Sequence, residues 1–536
     1  MGGHRLRSRR AGQPRSDAAA GTAAPDARPG RGHPQSRRRA ARAHLQPGPR
    51  HPAVHARRKC ADARAIRSPR LPQVNVLRIH HPDVIIVGGG ISGLAAAYEL
   101  QRRGAGVRLF EASDRLGGVI RSDRFDGWVV DGGPDSLLVQ KPAAVALCRE
   151  LGIGHRLFST IPPRTAYILR NGRLHPLPEG SFLGFPLKFT ALSNSTLFSF
   201  AGKLRMACEV FIPRSEDDED ESIASFVGRR FGQEAVEYLA EPLLAGIHAG
   251  DVDRLSVRAL FPRLVDAERQ SGSIIRAFRA LQMKPSPQGA FVSLPGGVAE
   301  LVEALVGAIA PGTLTAGTRV TDLRHAGMFT LDTTGGAIEA TSVILALPAY
   351  AAGGILRGVH TGLAALCDEV PYASTATVAF GYRRDQIDHP MRGSGFVVPR
   401  VERSPLLAAT WVTSKWPHRA PAGHVLLRAF LGGGRDPQRL DQRDDELITL
   451  AREALAEVMP IAGDPLFSRL YRWTRQSPQY EVGHLARLAA IEGYLARVPG
   501  LFVTGSGFRS IGIPDCVADG RETAGRAATF VATQRV

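Results

Sequence analysis

Cysteine and long apolar runs are both scarce in this chain of 536 residues. The five cysteines are scattered, odd in number and without a CxxC pair, a usage that indicates reduced thiols and no metal site. No stretch approaches the ~18 apolar residues that a membrane-spanning helix needs. The sequence therefore argues against a disulfide framework and predicts a cytoplasmic protein with at most peripheral contact with the cytoplasmic membrane.

Acidic residues are almost absent from the first 80 residues, which carry 19 Arg and Lys against 3 Asp and Glu. The other 456 residues carry 49 against 47, so the N-terminal part contributes +16 of the net charge of +18. Residues 1–78 are predicted to be a disordered basic extension because they hold too little apolar surface to fold. Three alternatives stay open for it: a targeting segment, a nucleic-acid-binding arm, and an extension that is not native because the start has been assigned too far upstream. We favour the last, since no methionine lies between Met1 and Met206, and expect no nucleic-acid partner.

A glycine-rich turn follows an apolar strand near residue 84. Val84 to Val87 lack alternation, which is typical of a strand buried on both faces of a parallel sheet. In the turn, Gly88 permits the sharp bend, Gly90 lets the backbone approach a pyrophosphate, and Gly93 lets the next helix pack closely. A second strand ends at Glu111, 23 residues after Gly88, where an acid hydrogen-bonds a ribose hydroxyl. The pattern predicts a dinucleotide site.

The end of the chain returns to the same pattern, with a strand from Leu501 and a helix from Ile513. The nucleotide fold therefore opens near residue 80 and closes near residue 530, with long insertions between its strands. We expect an α/β protein with a split Rossmann-like FAD-binding domain, an inserted α+β substrate domain and a helical subdomain. The predicted bounds are 79–140, 285–355 and 495–536 for FAD binding, 141–260 for the mainly helical part, and 261–284 and 356–494 for the substrate domain.

FAD suits this arrangement better than NAD. FAD is long and is held by several separate segments, and a further glycine stretch containing Gly117 and Gly118 follows directly after the acid. The C-terminal helix starts with Pro514 and Asp515, residues suited to a first turn or cap. Its positive end would stabilise negative charge on a reduced flavin. In this prediction the flavin carries the redox chemistry and the protein positions it.

Residues 181–200 are rich in phenylalanine and hold one charged residue, Lys188. The phenylalanines are Phe182, Phe185, Phe189, Phe198 and Phe200. The segment is either the core of the helical subdomain, which we favour, or a lip that touches a bilayer or an apolar substrate.

Motifs along residues 82–533 resemble those of the bacterial protoporphyrinogen and coproporphyrinogen III oxidases, FAD enzymes of haem biosynthesis with the amine oxidase fold of the p-hydroxybenzoate hydroxylase type. The motifs GGGISGL and RLGG are shared by the whole flavin amine oxidase superfamily. The interior motifs PLLAGIHAGD, PYASTATV and GIPDC are the ones that point to porphyrinogen oxidation.

The resemblance implies a six-electron oxidation, in three two-electron rounds, of coproporphyrinogen III to coproporphyrin III or of protoporphyrinogen IX to protoporphyrin IX. We favour the first substrate. Molecular oxygen would be the acceptor, hydrogen peroxide the second product, and transient contacts with neighbouring enzymes of haem synthesis are expected. A flavin amine oxidase or a carotenoid desaturase is the alternative within the superfamily, and a non-catalytic flavin-binding scaffold is the alternative of another class.

The resemblance also implies which residues contact FAD. They are Gly88, Gly89, Gly90, Ile91, Ser92, Gly93, Glu111, Ala112, Arg115, Gly117, Gly118, Gly133, Pro134, Asp135, Ser136, Val320, Trp473, Ser506, Ile511, Gly512 and Ile513. Lys141 and Arg319 are the candidates for contacting substrate carboxylates, and no catalytic acid, base or nucleophile is evident. Phe508 to Ile511 depart from the aromatic-x-Gly-Val that is usual in the family, which leaves the conformation of that loop open.

Overall fold

The computed structural model describes residues 82–178, 180–182, 184–280 and 289–535. The predicted N-terminal extension, residues 1–78, lies outside these residues. So do residues 281–288, which include the predicted boundary between the substrate and FAD-binding segments.

The described residues form 22 strands and 16 α-helices. In chain order the strands are β1 (Val84–Val87), β2 (Val107–Phe110), β3 (Ser122–Phe125), β4 (Trp128–Asp131), β5 (Leu137–Leu138), β6 (Phe158–Ser159), β7 (Ala166–Arg170), β8 (Arg173–Pro176), β9 (Ser181–Phe182), β10 (Phe185–Pro186), β11 (Phe291–Ser293), β12 (Leu314–Thr315), β13 (Val320–Ala326), β14 (Met328–Thr333), β15 (Gly336–Ala340), β16 (Ser342–Leu345), β17 (Tyr372–Arg383), β18 (Gly395–Val397), β19 (Leu406–Trp411), β20 (His424–Gly432), β21 (Phe467–Pro478) and β22 (Leu501–Val503).

The α-helices are α1 (Ile91–Arg102), α2 (Ala143–Glu150), α3 (Phe189–Asn194), α4 (Phe200–Ala207), α5 (Ile223–Phe231), α6 (Gln233–Ala235), α7 (Val257–Leu260), α8 (Pro262–Ser271), α9 (Ile274–Ala280), α10 (Ala299–Ala308), α11 (Ala349–Leu356), α12 (Thr361–Asp368), α13 (Val412–Lys415), α14 (Asp444–Val458), α15 (His484–Leu495) and α16 (Ile513–Gln534). A π-helix spans Val236–Ala245. Short 3-10 helices span Gly154–Arg156, Cys208–Phe211, Gly246–His248, Arg384–Gln386, Arg400–Glu402 and Pro437–Asp441.

A five-stranded sheet of order β12-β2-β1-β16-β22 is parallel throughout and unites three distant parts of the chain. Every residue of β1 and β16 is buried, as expected for continuous apolar runs covered on both faces. Helices α1, α2, α10 and α16 contribute to the core on one side. Strands β13 to β15 and helices α11, α12 and α15 contribute to the core on the other. The predicted Rossmann-like layering is present.

A seven-stranded sheet of order β21-β17-β20-β19-β18-β7-β8 forms the second large layer. β17 pairs antiparallel with both β20 and β21, so residues far apart in sequence become neighbours across its centre. Helix α14 packs against one face of this sheet. β7 and β8 come from the 141–260 segment that we expected to be mainly helical, so that segment also completes the sheet.

The helical part, from α3 to α9, has its own core. Phe185 and Phe198 are buried in this part of the molecule, whereas Phe189 and Phe200 are exposed. The phenylalanine-rich segment therefore supplies both core and surface, and the side chain of Phe182 is outside the described set. Among the described helices, none combines the length and the apolar composition that crossing a bilayer requires.

Candidate active site

The glycine turn between β1 and α1 has the close contacts that the sequence predicts. A Cβ on Gly88, whose φ is +109°, would lie 2.3 Å from the carbonyl oxygen of Ala346. A Cβ on Gly93 would lie 2.0 Å from the carbonyl oxygen of Gly88, so only glycine allows α1 to start so near β1. Gly90 differs, because a Cβ there would meet no described atom within 4 Å. The open space beside Gly90, at the N-terminus of α1, fits a bound pyrophosphate.

Glu111 lies directly after β2, beside the glycine turn. The backbone N–H of Gly89 donates to its Oε2 at 2.7 Å, and the N–H and hydroxyl of Ser113 donate to its Oε1, each at 2.8 Å. Its backbone is held as well, since the N–H of Thr318 donates to its carbonyl at 2.8 Å. The carboxylate is thus fixed next to the turn, where it can accept from a ribose hydroxyl. Ala112 is exposed beside it.

The loop after Glu111 is attached to the glycine turn through its backbone. The N–H of Gly117 donates to the carbonyl of Gly89 at 2.8 Å, and Gly90 and Gly117 form an isolated parallel bridge. Arg115 closes the loop by donating to the carbonyls of Gly118 and Ile120. The glycine turn and the loop that contains Gly117 and Gly118, both predicted to bind FAD, therefore form a single surface.

A cavity of about 540 Å³ lies where these loops meet the seven-stranded sheet, a volume within the range of small-molecule sites. Its lining residues are Val119, Gly133, Pro134, Asp135, Ser136, Pro242, Gly246, Ile247, Ala249, Thr375, Thr377, Val397, Leu407, Ala408, Phe430, Trp473, Gln476 and Ser477. Asp135 is the one ionisable side chain among them. The backbone of Gly133 packs closely, since a Cβ there would lie 2.0 Å from the carbonyl oxygen of Val119. The indole of Trp473 donates to the carbonyl of Gly132 at 2.9 Å.

Asp135 lies at the centre of a buried charge cluster at this wall of the cavity. Lys415 Nζ contacts its two carboxylate oxygens at 3.0 and 2.9 Å, and Arg428 Nη1 lies 3.5 Å from Oδ2. Trp416 Nε1 donates to Oδ2 at 3.3 Å and the Ser136 hydroxyl donates to Oδ1 at 2.9 Å. Burial by itself would raise the pKa of Asp135, but Lys415 and Arg428 lower it well below its usual value. The carboxylate stays ionised.

A second buried ion pair, formed by Arg419 and Asp131, is linked to Asp135 by hydrogen bonds through the hydroxyl of Ser293. Arg419 Nη2 lies 3.3 Å from an oxygen of Asp131 and donates to the hydroxyl of Ser293 at 2.7 Å. That hydroxyl donates to the backbone carbonyl of Asp135 at 2.8 Å. We call Asp131, Asp135, Lys415, Arg419 and Arg428 together the Asp135 cluster.

The loop between β22 and α16 contains Ser506, Ile511 and Gly512, which are predicted FAD contacts, and α16 begins at Ile513. The stacked rings of Tyr480 and His484 both contact this loop. The Tyr480 hydroxyl donates to the carbonyl of Ser506 at 2.9 Å, and His484 Nε2 contacts the carbonyl of Phe508 at 2.9 Å. Burial lowers the pKa of His484, so its ring stays neutral and donates this bond.

Arg509 holds the same loop from its other side. It donates to Asp519 at 2.9 Å, to Glu492 at 3.0 Å and to the carbonyl of Val503 at 2.7 Å. These contacts explain how the loop keeps a fixed conformation although it lacks the glycine that is usual before Ile511.

The three other predicted site residues lie away from this cavity wall. Val320 is buried at the start of β13, in the core beside the parallel sheet. Lys141 pairs with Asp515 at 2.6 Å, near the start of α16. Arg319 is exposed, next to Thr318, which bonds Glu111. None of the three is among the described residues that line the cavity.

Residues 91–528 match the family model of the flavin-containing amine oxidoreductases. The chain belongs to this family. Its cofactor is FAD and it is an oxidoreductase, as the glycine turn and the divided fold predicted. The fit is visible in the structure, since the space at Gly90, the fixed Glu111 carboxylate and the cavity beside Gly133 accommodate a long dinucleotide.

Relatives with known names agree with the resemblance seen in the motifs. A coproporphyrinogen III oxidase of Bacillus subtilis is 36% identical over 464 residues, covering 84% of this chain and 98% of the relative. A coproporphyrinogen III oxidase of Staphylococcus aureus is 31% identical over 475 residues, covering 82% and 98%. The resemblance to porphyrinogen oxidases is confirmed by these proteins.

Solved structures show the same fold. A candidate protoporphyrinogen oxidase from Exiguobacterium sp. 255-15 superposes with a TM-score of 0.75 at 31% identity, covering 83% of this chain and 98% of that one. A cyclohexylamine oxidase from Brevibacterium oxydans superposes with a TM-score of 0.63 at 18% identity, covering 85% and 100%. The second likeness concerns the fold alone, and it confirms the amine oxidase architecture.

Sequence reasoning missed the residues behind the cavity wall and the flavin loop. Lys415 and Trp416 lie in the segment SKWP, and Tyr480 and His484 lie in the segment SPQYEVGH, and no role was predicted for these side chains. Arg428 carries no motif signal. It is placed by the pairing of β20 with β17, where it lies opposite Ala379.

Proposed function

We propose that this chain oxidises coproporphyrinogen III to coproporphyrin III in three two-electron rounds, with molecular oxygen as the acceptor and hydrogen peroxide as the second product. The observation that carries oxidation of a porphyrinogen is the cavity beside Gly133 to Ser136, whose described lining is largely apolar. The choice of coproporphyrinogen III follows the two relatives described above, which are both coproporphyrinogen III oxidases by name. Protoporphyrinogen IX is the alternative substrate.

The protein's own part in the reaction is binding and orientation. Gly88 to Gly93 would hold the pyrophosphate and Glu111 the ribose, while Gly133 to Ser136, Trp473 and the start of α16 would hold the ring system. When bound, the flavin supplies the two-electron acceptor. Arg115, Gly117, Gly118, Ala112, Val320, Ser506, Ile511 and Gly512 complete the proposed cofactor contacts.

The cavity offers a largely apolar surface for the tetrapyrrole ring. Phe430 and Val397 contribute apolar surface, and Thr377 is almost fully buried. Asp135 is a poor base because Lys415 and Arg428 keep it ionised and occupy its oxygens. A site without a strong base suits a substrate that needs orientation more than proton abstraction. Lys141 and Arg319 remain the proposed contacts for the substrate carboxylates.

The division into domains belongs to the same proposal. We propose that 79–140, 285–355 and 495–536 bind FAD, that 261–284 and 356–494 form the substrate domain, and that 141–260 is mainly helical. Strands β1, β2, β12, β16 and β22 support the first assignment because they form one parallel sheet.

The decisive experiment is anaerobic and aerobic turnover of the purified flavoprotein. We expect oxygen consumption, peroxide and porphyrin fluorescence on addition of coproporphyrinogen III, with kcat/KM above that for protoporphyrinogen IX. Cyclohexylamine and a linear polyene serve as controls for the two other activities of the superfamily. A flavin-loaded protein that never exceeds the spontaneous rate of porphyrinogen oxidation would indicate a scaffold instead of an enzyme.

We further propose a cytoplasmic location with peripheral contact at the membrane, and transient contact there with neighbouring enzymes of haem synthesis. Phe189, Phe200, Leu204 and Phe211 are 64%, 85%, 58% and 81% exposed. Phe200 and Leu204 lie one turn apart on α4, and Lys188 precedes Phe189, a combination typical of interfacial segments. Sedimentation with anionic lipid vesicles tests this contact, and a double Phe200→Ser, Phe211→Ser variant should stay in the supernatant.

A further inference from the structure

The Asp135 cluster is not electrically balanced. Lys415, Arg419 and Arg428 face two carboxylates, Asp131 and Asp135, so the cluster carries one excess positive charge. Their side chains are almost fully buried, with Lys415 the most exposed at 13%. An excess charge out of water is unfavourable unless some group uses it.

The guanidinium groups of the cluster also have unused hydrogen-bonding capacity. Among the described residues, Nε of Arg428 and both Nε and Nη1 of Arg419 have no hydrogen-bond partner, and these three donors outnumber the one unpartnered acceptor of the cluster, Oδ2 of Asp131. Buried polar networks with a purely structural role are normally satisfied. The unused donors and the excess charge therefore both indicate a role beyond holding the fold together.

The positive groups lie directly behind the cavity wall. Arg428 donates to the carbonyl of Gly133, and Lys415 binds Asp135, and both of these partners line the cavity. The wall formed by Gly133 to Ser136 is where the proposed function places the flavin ring system, and the inference rests on that placement. A buried charge acts over a longer range than an exposed one because little water screens it.

We propose that Lys415 and Arg428 hold a fixed positive charge beside the bound flavin and so make it a better electron acceptor. Asp135 sets the size of this charge by neutralising part of it. The cluster is thus a positioning and tuning element for the cofactor, separate from the groups that bind its phosphates or the substrate.

The test is the midpoint potential of the bound flavin, measured by equilibration with a reference dye in the FAD-loaded protein. Lys415→Met removes a positive charge and should lower the equilibrium constant for reduction about tenfold, the order expected for one charge acting through a poorly polarisable interior. Asp135→Asn removes a negative charge and should raise this constant by a similar factor. Lys415→Arg keeps the charge and should stay close to the wild type.

Lys188→Met is the matched control, because Lys188 is exposed and lies in the helical part. Far-UV circular dichroism and flavin absorbance show that each variant is folded and loaded. Shifts of the same sign in Lys415→Met and Asp135→Asn would overturn the proposal, since a loosened wall would act alike in both. Unchanged potentials in both, or a wild type that binds no flavin, would also overturn it. Opposite shifts in a protein that does not oxidise porphyrinogen would support this proposal and refute the proposed substrate.

Discussion

Replacing Arg509 by alanine should release the loop that precedes α16. Arg509 donates to Asp519, to Glu492 and to the carbonyl of Val503, and its side chain is 23% exposed. The loop carries Ser506 and Ile511, which are proposed FAD contacts. We therefore expect both a less stable protein and weaker FAD binding.

The three contacts of Arg509 differ in strength because their partners differ in exposure. Glu492 is 52% exposed, so its ion pair contributes at most about 1 kcal/mol. Asp519 is 12% exposed, and bonds between charged groups in such places contribute about 1.5–3 kcal/mol. Asp519 keeps its bonds from the Thr504 hydroxyl at 2.6 Å and the Gly505 N–H at 3.0 Å, so it is not left unpaired. The net loss should be about 2–3 kcal/mol.

The assay combines urea unfolding of the FAD-free protein with titration of FAD against it. If the loop must be ordered to bind FAD, a loss of this size weakens binding by up to about 100-fold. Arg526→Ala is the matched control, since Arg526 is exposed and contacts the ring of Phe502 at 5.3 Å instead of the loop. Wild-type stability and FAD affinity in Arg509→Ala would refute the reasoning.

Three further predictions concern the glycine turn, a buried ion pair and a buried histidine. Gly93→Ala should prevent folding, since its Cβ would clash with a carbonyl, whereas Gly90→Ala should fold normally and lose FAD affinity, as circular dichroism and FAD titration would show. Arg230→Met breaks a fully buried ion pair and should lower the free energy of unfolding, measured by urea titration, by about 3–5 kcal/mol. Arg269→Met breaks an exposed ion pair and should change the free energy of unfolding by less than about 1 kcal/mol. Burial lowers the pKa of His248 to about 4, so the unfolded chain takes up a proton first and the free energy of unfolding should fall by about 2–3 kcal/mol between pH 6.5 and 4. This slope should be shallower in His248→Gln, and an equal slope in both proteins would show that another group causes it.

The sequence predicted the fold best where all the interactions that a feature needs lie within one short segment. The turn from Gly88 to Gly93 combines a bend, a close helix contact and an open space, and each needs glycine for a local reason. The same holds for α16, whose start at Ile513 was predicted from Pro514 and Asp515. Strand β1 likewise has the predicted bounds, Val84–Val87, because its run of apolar residues is local.

The roles of Lys415 and Arg428 were beyond sequence reasoning because they depend on pairing between distant segments. Lys415 meets Asp135 across 280 residues, and Arg428 reaches the carbonyl of Gly133 across 295. A lysine or arginine in a chain with 68 of them is normally exposed, so nothing local marks these two as buried. The pairing of Lys141 with Asp515, 374 residues further along the chain, was equally beyond sequence reasoning.

The proposed cofactor-binding residues and the residues of the Asp135 cluster have different proposed roles in the site. The glycines and Glu111 are proposed to bind the cofactor through backbone groups and one carboxylate, and their sequence pattern is short and local. The cations of the Asp135 cluster are instead proposed to act on the flavin through their charge, which requires only that a strand or helix brings them close to the cavity. Because β20 and α13 carry the cations while the loop after β4 carries Asp135, the pairing of the large sheet sets the electrostatics of the cavity. If the proposal is right, the reduction potential of the cofactor depends on the seven-stranded sheet, although the proposed phosphate contacts lie in the glycine turn.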